Sequence, residues 1–122
     1  MSDKKKILVV EDDMPIARAL SLKLEKEGFE VKSAGSGEEG LKVIESDDFD
    51  LVLLDLIMPE KDGFYVLEQV RKRNLNVKIM VASNLSQPKD IKKAKKMGAV
   101  DYFVKSGTSI VEVVEKVKKN LE

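Results

Sequence analysis

The 122-residue sequence contains no cysteine and no histidine. The absence of cysteine excludes a disulfide framework and thiolate chemistry, and it agrees with a reducing, cytoplasmic location. The absence of histidine removes the usual general base and the commonest metal ligand. Any catalysis or metal binding must therefore depend on carboxylates, hydroxyls and lysines.

The sequence also lacks a net charge and a long apolar run. Lysine plus arginine and aspartate plus glutamate each number 22, so no overall field attracts nucleic acid. No apolar run approaches the roughly 20 residues that cross a bilayer, so we expect no membrane association. The length is that of one ordinary domain, and we expect residues 1–122 to form a single domain with no output domain.

Strand and helix patterns alternate along the whole chain. Five short apolar or alternating segments indicate strands, at residues 6–10, 30–34, 51–55, 77–82 and 100–104. A helical pattern follows each strand, and the predicted starts of these helices are Asp13, Ser36, Asp62, Ser86 and Thr108. Ile16 and Ile110 belong to the apolar stripes of the first and last helices. This alternation predicts an α/β fold, a doubly wound parallel sheet with helices on both faces.

Charged and polar residues stand at the carboxyl ends of four predicted strands. In a parallel sheet these ends share one edge, and ligands bind in the crevice there. The third strand is apolar throughout before it ends at Asp55, as expected of a central strand buried on both faces. The residues that the strand ends bring to this edge are Glu11, Asp12, Asp55, Ser83 and Lys105.

The acidic residues of this group predict a magnesium site. Converging carboxylates repel one another unless a cation or a proton compensates them. Mg²⁺ prefers oxygen ligands and commonly uses one or two carboxylates together with phosphate oxygens. We expect Asp12 and Asp55 to be direct ligands and Glu11 an outer-sphere one, with the backbone carbonyl of Ile57 at a further position.

With the metal in place, Asp55 is the candidate nucleophile toward phosphorus. The ammonium of Lys105 and the hydroxyl of Ser83 would share the charge of the phosphoryl oxygens. Taken singly, these residues have simpler interpretations: Asp12 or Asp13 as a helix cap, Ser83 as a turn former, and Lys105 as a surface lysine. Their coincidence at four strand ends favours a common site.

The sequence resembles the receiver domain of two-component response regulators, including the stand-alone chemotaxis members. The resemblance rests on residues 7–13, 53–59, 62–63, 98–99 and 101–105. It implies a flavodoxin-like (βα)5 fold with strand order 2-1-3-4-5. It also implies that Asp55 accepts a phosphoryl group from a histidine kinase or phosphotransfer protein, with Mg²⁺ held by Glu11, Asp12 and Asp55.

The resemblance further implies a conformational switch. Ser83 and Tyr102 fall at the positions of the family's hydroxyl and aromatic switch residues. Ser83 would bind the arriving phosphoryl group. Tyr102 would rotate inward as the face made by the fourth helix, fifth strand and fifth helix rearranges for a downstream protein target. Packing alone explains Tyr102 more simply, as a core residue of the last strand.

Two positions depart from the family's pattern. The family usually follows its lysine with proline through a cis bond, whereas Ser106 follows Lys105 here. The Lys105–Ser106 bond is then either trans or part of a strained loop. A small residue usually follows the switch hydroxyl, but here it is Asn84, which would narrow access to the phosphoryl group or bond to it. Both departures concern switching and dephosphorylation more than phosphorylation.

Three functions compete for this pattern. The leading one is a signalling switch that acts through protein contacts and is not an enzyme toward other substrates. A magnesium-dependent phosphohydrolase is weakened because Ile57 stands where a second acid is needed two residues after Asp55. A vestigial, phosphorylation-independent interaction module stays open because of Asn84 and Ser106. A nucleotide-binding Rossmann domain fits poorly, since no glycine-rich loop follows the first strand.

The predicted fourth helix carries a dense basic face. Its lysines are Lys89, Lys92, Lys93, Lys95 and Lys96. A solvated helix face is the simpler explanation, and docking of an acidic partner is the alternative. No helix-turn-helix or winged module is present to enter a groove, so direct nucleic-acid binding is not expected.

Overall fold

The computed structural model describes residues 4–122, so residues 1–3 of the expected domain lie outside it. The strands are β1 Lys6–Val10, β2 Glu30–Ala34, β3 Leu51–Leu54, β4 Lys78–Ser83 and β5 Asp101–Val104. The helices are α1 Met14–Lys26, α2 Gly37–Ser46, α3 Gly63–Lys72, α4 Pro88–Lys96 and α5 Ile110–Asn120. A 3-10 turn, Lys105–Gly107, lies between β5 and α5.

The five strands form one parallel sheet in the order β2-β1-β3-β4-β5, which confirms the predicted fold class and strand order. Alternate residues of each inner strand enter different cores. Leu8 and Val10 of β1 pack with α2, α3 and α4, whereas Ile7 and Val9 pack with α1 and α5. The sheet is therefore covered on both faces, and β3 lies at its centre, buried along its whole length.

Side-chain caps fix where three of the predicted helices begin. The carboxylates of Asp13 and Asp62 and the hydroxyl of Ser36 each accept the backbone N–H three residues ahead. Gly28, after α1, and Gly98, after α4, have φ angles of 98° and 112°, a conformation that side chains rarely adopt. The sequence signals for these helix ends are confirmed.

The starts of the other two helices differ from the prediction. Helix α4 has Gln87 rather than Ser86 at its N-cap, and the Gln87 side chain makes no capping hydrogen bond. Helix α5 is capped by Ser109, in a reciprocal capping box with Glu112. Thr108 instead closes the preceding turn, because its hydroxyl donates to the carbonyl of Val104 at 2.8 Å.

Smaller differences concern apolar residues at the ends of elements. Val77 and Val100 lie just outside the strands that were expected to include them. Ile16 is 36% exposed and Ile110 is 40% exposed, because Ala17 and Val113 take the inward positions beside them. Within the described residues, no helix is both long and apolar enough to cross a bilayer.

Candidate functional site

Asp55 is the first residue after β3, between the ends of β1 and β4. Its backbone N–H donates to the carbonyl of Val10 at 3.0 Å, which continues the β1–β3 ladder by one residue. Its carboxylate Oδ1 accepts the N–H of Ile57 at 3.2 Å. The residue is only 6% exposed, so a central buried strand delivers a carboxylate with a fixed backbone to the carboxyl edge of the sheet.

Two further carboxylates join Asp55 from the end of β1. Glu11 is 3% exposed, and its Oε2 accepts the N–H of Asp13 at 3.2 Å. Asp12 is exposed. One carboxylate oxygen from each of Glu11, Asp12 and Asp55 lies within 4.8 Å of the others. The structure therefore brings together the three acidic residues that the sequence singled out.

Lys105 reaches this cluster from the end of β5. Its Nζ lies 2.5 Å from Oε1 of Glu11 and 3.3 Å from Oδ2 of Asp55. Burial works to lower the pKa of the Lys105 ammonium, but the hydrogen bond to Glu11 and the charge of Asp55 outweigh it and raise that pKa. Lys105 is therefore held in its charged form, beside the carboxylates.

The charges of this cluster fit a hard cation. The cluster holds three carboxylates, and the Lys105 ammonium contacts two of them, Glu11 and Asp55, so the group carries an excess of negative charge. Burial raises the pKa of the Glu11 carboxyl, and although Lys105 opposes this, the neighbouring Asp55 raises it further. An all-oxygen set with unmet negative charge suits Mg²⁺. Ile57, expected to offer its carbonyl, lies in the same loop as Asp55, with its side chain 54% exposed.

Ser83 and Tyr102 both bond to Leu85, in the loop between β4 and α4. The Ser83 hydroxyl is fully buried and accepts the N–H of Leu85 at 3.2 Å. The Tyr102 hydroxyl donates to the carbonyl of Leu85 at 2.6 Å. Tyr102 is 8% exposed, and burial raises the pKa of its phenol. Tyr102 is thus an inward-facing core residue whose hydroxyl is tied to the loop that follows Ser83.

The two positions that depart from the expected pattern are bonded to each other. The backbone N–H of Ser106 donates to Oδ1 of Asn84 at 3.0 Å. The Lys105–Ser106 peptide bond is trans, as is every peptide bond in the described range. Both residues were visible as departures in the sequence, but their pairing depends on how two loops approach each other, which no local pattern encodes.

Gly63 packs directly against the backbone of the Asp55 loop. It is buried at the first position of α3, and its N–H donates to the carbonyl of Leu56 at 3.1 Å. A Cβ atom at this position would lie 2.7 Å from the Cα of Leu56 and would collide with the carbonyl oxygen of Asp55. In the sequence, Gly63 signals only a turn before a helix, and its close contact with Asp55 becomes visible only in the fold.

Comparisons with known proteins identify the family of this chain. The family model for the response regulator receiver domain matches residues 7–118. A probable transcriptional regulator, ycf27, of Porphyridium aerugineum is 40% identical over 102 residues, which cover 84% of this chain and 42% of that protein. The chain thus spans less than half the length of the curated relatives it matches.

Two solved structures share nearly the whole fold. The receiver domain of Francisella response regulator 1452 has a TM-score of 0.91 and 31% identity, over 97% of both chains. The response regulator TrrA of Thermotoga maritima, solved in complex with Mg²⁺-BeF, has a TM-score of 0.85 and 39% identity, over 96% of this chain and 99% of that one. On this evidence of sequence and fold, the chain belongs to the response regulator receiver domain family.

Proposed function

We propose that Asp55 accepts a phosphoryl group, in a magnesium-dependent reaction, from a histidine kinase or a phosphotransfer protein. The observation that carries this proposal is the placement of a buried Asp55 carboxylate beside a charged Lys105 and two further carboxylates. Family membership supports the same chemistry, since the receiver domain is the phosphoacceptor module of two-component signalling. The chain is then a cytoplasmic signalling switch rather than an enzyme that acts on other substrates.

Asp12 and Asp55 would hold Mg²⁺ directly, with Glu11 further out and the carbonyl of Ile57 at another position. The ion would supply positive charge to the phosphoryl oxygens. The TrrA structure is a complex with Mg²⁺-BeF in a chain 39% identical to this one, which supports Mg²⁺ binding by this chain as well. Glu11 also bonds to Lys105 at 2.5 Å, so it would position that ammonium as well as balance the charge of the ion.

The transfer exchanges one bond to phosphorus for another. An oxygen of the Asp55 carboxylate bonds to phosphorus as the phosphorus–nitrogen bond of the donor imidazole breaks. The imidazole nitrogen keeps that electron pair and takes up a proton from solvent. Lys105, 3.3 Å from Asp55 Oδ2, would neutralise charge on the phosphoryl oxygens. The Ser83 hydroxyl would donate to one of them while its oxygen accepts the Leu85 N–H.

The loop between β4 and α4 would connect Asp55 to the output face of the chain. The carbonyl of Leu85 accepts a hydrogen bond from the Tyr102 hydroxyl, and the N–H of Leu85 donates one to the Ser83 hydroxyl. A phosphoryl group that draws Ser83 toward Asp55 would pull on this loop, and Tyr102 would stabilise the loop position that results. Phosphorylation would thereby shift the population of conformations of the α4-β5-α5 face.

That face is the proposed contact for a downstream protein target. The lysines of α4 are exposed beside it, which suits an acidic segment of a partner; they are Lys89, Lys92, Lys93, Lys95 and Lys96. The signal would pass by protein–protein contact, without direct binding of nucleic acid or membrane by these residues. The curated relatives that are named transcriptional regulators are about twice as long as this chain, which matches 42% of their length.

Intact-mass spectrometry tests the proposal. The chain is incubated with acetyl phosphate and Mg²⁺, beside a magnesium-free sample, the Asp55→Asn variant, and Asp48→Asn as an exposed-aspartate control. We expect one phosphoryl adduct in the wild type and in Asp48→Asn, and none without Asp55 or without the metal. An adduct that persists in Asp55→Asn would contradict the proposal, and so would its absence from folded wild type. Turnover of small phosphate esters would indicate a phosphohydrolase instead.

A further inference from the structure

Asn84 connects the loop after β4 to the turn after β5. Its Oδ1 accepts the backbone N–H of Ser106 at 3.0 Å. Because the partner is a donor, the amide oxygen of Asn84 must face it and the NH₂ group must point away. An asparagine side chain therefore spans from one strand end of the site to the other.

The hydrogen bond from Ser106 to Asn84 is one residue along the chain from Lys105. Ser106 is the residue after Lys105, whose Nζ bonds to Glu11 and Asp55. Other hydrogen bonds of this turn are local to the β5–α5 connection: Thr108 Oγ1 donates to Val104, and the Thr108 N–H lies 3.5 Å from the Lys105 carbonyl. The bond to Asn84 instead fixes the turn to β4, the strand that lies between β3 and β5.

We infer that Asn84 is a positioning residue for Lys105: by accepting the Ser106 N–H, it holds the turn so that the Lys105 ammonium stays over Asp55. The inference rests on the proposed function, because Lys105 matters there for the charge of the phosphoryl group. Asn84 acts through the backbone of Ser106, so the side chain of Ser106 is not needed. This gives a matched control, since Ser106→Ala keeps the N–H, whereas Asn84→Ala removes its acceptor.

The first experiment measures amide hydrogen exchange in the unphosphorylated chain. We expect the Ser106 N–H to exchange roughly fivefold faster in Asn84→Ala, the change that loss of one ordinary hydrogen bond produces. Ser106→Ala should keep the protection at residue 106, and amides of β1 should be unchanged in both variants. Unchanged exchange at Ser106 in Asn84→Ala would overturn the inference.

The second experiment asks whether Asn84 acts through Lys105. Phosphorylation rates with acetyl phosphate and Mg²⁺ are measured for Asn84→Ala, Lys105→Ala and the double variant. We expect Asn84→Ala to slow the reaction roughly three- to tenfold when Lys105 is present and to have no further effect in the Lys105→Ala background. Ser106→Ala should react at the wild-type rate.

The outcomes separate positioning from direct action. If Asn84→Ala slows phosphorylation equally with and without Lys105, Asn84 acts on the phosphoryl group itself. If Asn84→Ala leaves the rate unchanged when Lys105 is present, the hydrogen bond to Ser106 does not position the ammonium. Either result overturns the inference. Exchange is measured without phosphorylation, so it decides whether Asn84 holds the turn even if the wild-type chain forms no adduct. That last result would contradict the proposed function alone.

Discussion

Replacing Gly63 with alanine should damage both the stability of the chain and the geometry of Asp55. The added Cβ would lie 2.7 Å from the Cα of Leu56 and nearer still to the carbonyl oxygen of Asp55, whereas ordinary contacts begin at 3.4 Å, so the backbone must move by at least about 0.7 Å. The two nearest atoms in the way belong to the backbone of Asp55 and Leu56, so rotation of the Leu56 side chain, whose Cδ2 is the third, cannot relieve the overlap. The displacement therefore acts directly on the residue that carries the proposed phosphoryl group.

The cost follows from two opposing effects. Overpacking of a tight site costs about 1–3 kcal/mol. Alanine recovers about 0.5–1 kcal/mol, because it restricts the unfolded chain more than glycine does. We expect the free energy of unfolding to fall by about 1–2 kcal/mol, which corresponds to a Tm lower by roughly 5 °C.

Urea denaturation and the rate of phosphorylation by acetyl phosphate together test this expectation. Gly35→Ala is the matched control, since a Cβ at Gly35 meets no atom within 4 Å. Gly63→Ala should lose stability and react more slowly, while Gly35→Ala should do neither. If Gly63→Ala proves as stable and as reactive as Gly35→Ala, the close packing of α3 on the Asp55 loop does not constrain the site.

Three further predictions concern the metal, the ion pairs of Asp47, and the loop between β4 and α4. Mg²⁺ at 100 times its Kd should raise the free energy of unfolding by about 2.7 kcal/mol, as measured in urea, and Asp55→Asn should reduce this gain. Asp47→Asn should flatten the loss of stability in acid, as measured by thermal unfolding across pH, because Lys6 holds the pKa of the Asp47 carboxyl well below its usual range. Tyr102→Phe should cost about 1 kcal/mol in urea denaturation, since the Leu85 carbonyl loses its donor.

The sign of the acid effect follows from linkage. The pKa of Asp47 is lowered from 3.8 in the folded chain, first by the hydrogen bond from Lys6 and then by that from Lys32. The stability it contributes is fully present above the unfolded pKa and is lost as pH falls below about 4 toward the folded value. Wild type and Asp47→Asn should thus differ most near neutral pH and converge in acid. A constant difference across pH would contradict this assignment.

The other two predictions have equally direct contradictions. Equal stabilisation of wild type and Asp55→Asn by Mg²⁺ would place the ion away from this cluster. A Tyr102→Phe variant with unchanged stability would show that the hydrogen bond from its hydroxyl to Leu85 does not stabilise the loop between β4 and α4. The proposed coupling of Tyr102 to that loop would then lose its support.

Much of the fold could be predicted because local and global signals agree. The apolar run of β3 ends at Asp55 and can satisfy its burial only at the centre of a parallel sheet. The carboxyl ends of parallel strands meet at one edge, so the meeting of Glu11, Asp55 and Lys105 follows from topology alone. The caps of Asp13, Ser36 and Asp62 act within one helical turn, which is why the sequence signals for these three helix starts are confirmed.

The remaining features depend on contacts between distant segments. The bond from Ser106 to Asn84 joins loops 22 residues apart, and neither residue signals the other. The tight packing of Gly63 on Asp55 arises from the path of the loop between β3 and α3, which no periodicity describes. Ile16 is exposed because helix α1 is rotated so that Ala17 faces the core. The apolar stripe in the sequence does not fix this rotation of the helix to within one residue.

Localising the phosphoryl group tests directly whether Asp55 is the phosphoacceptor. Borohydride reduces an aspartyl phosphate to homoserine, so peptide mass spectrometry after reaction with acetyl phosphate and Mg²⁺ identifies which aspartate was modified. We expect conversion at Asp55 alone, with Asp12 and Asp13 in the same digest unmodified and no conversion when Mg²⁺ is withheld. Homoserine at Asp12 or Asp13, or an intact Asp55 in a chain that carries the phosphoryl adduct, would contradict it.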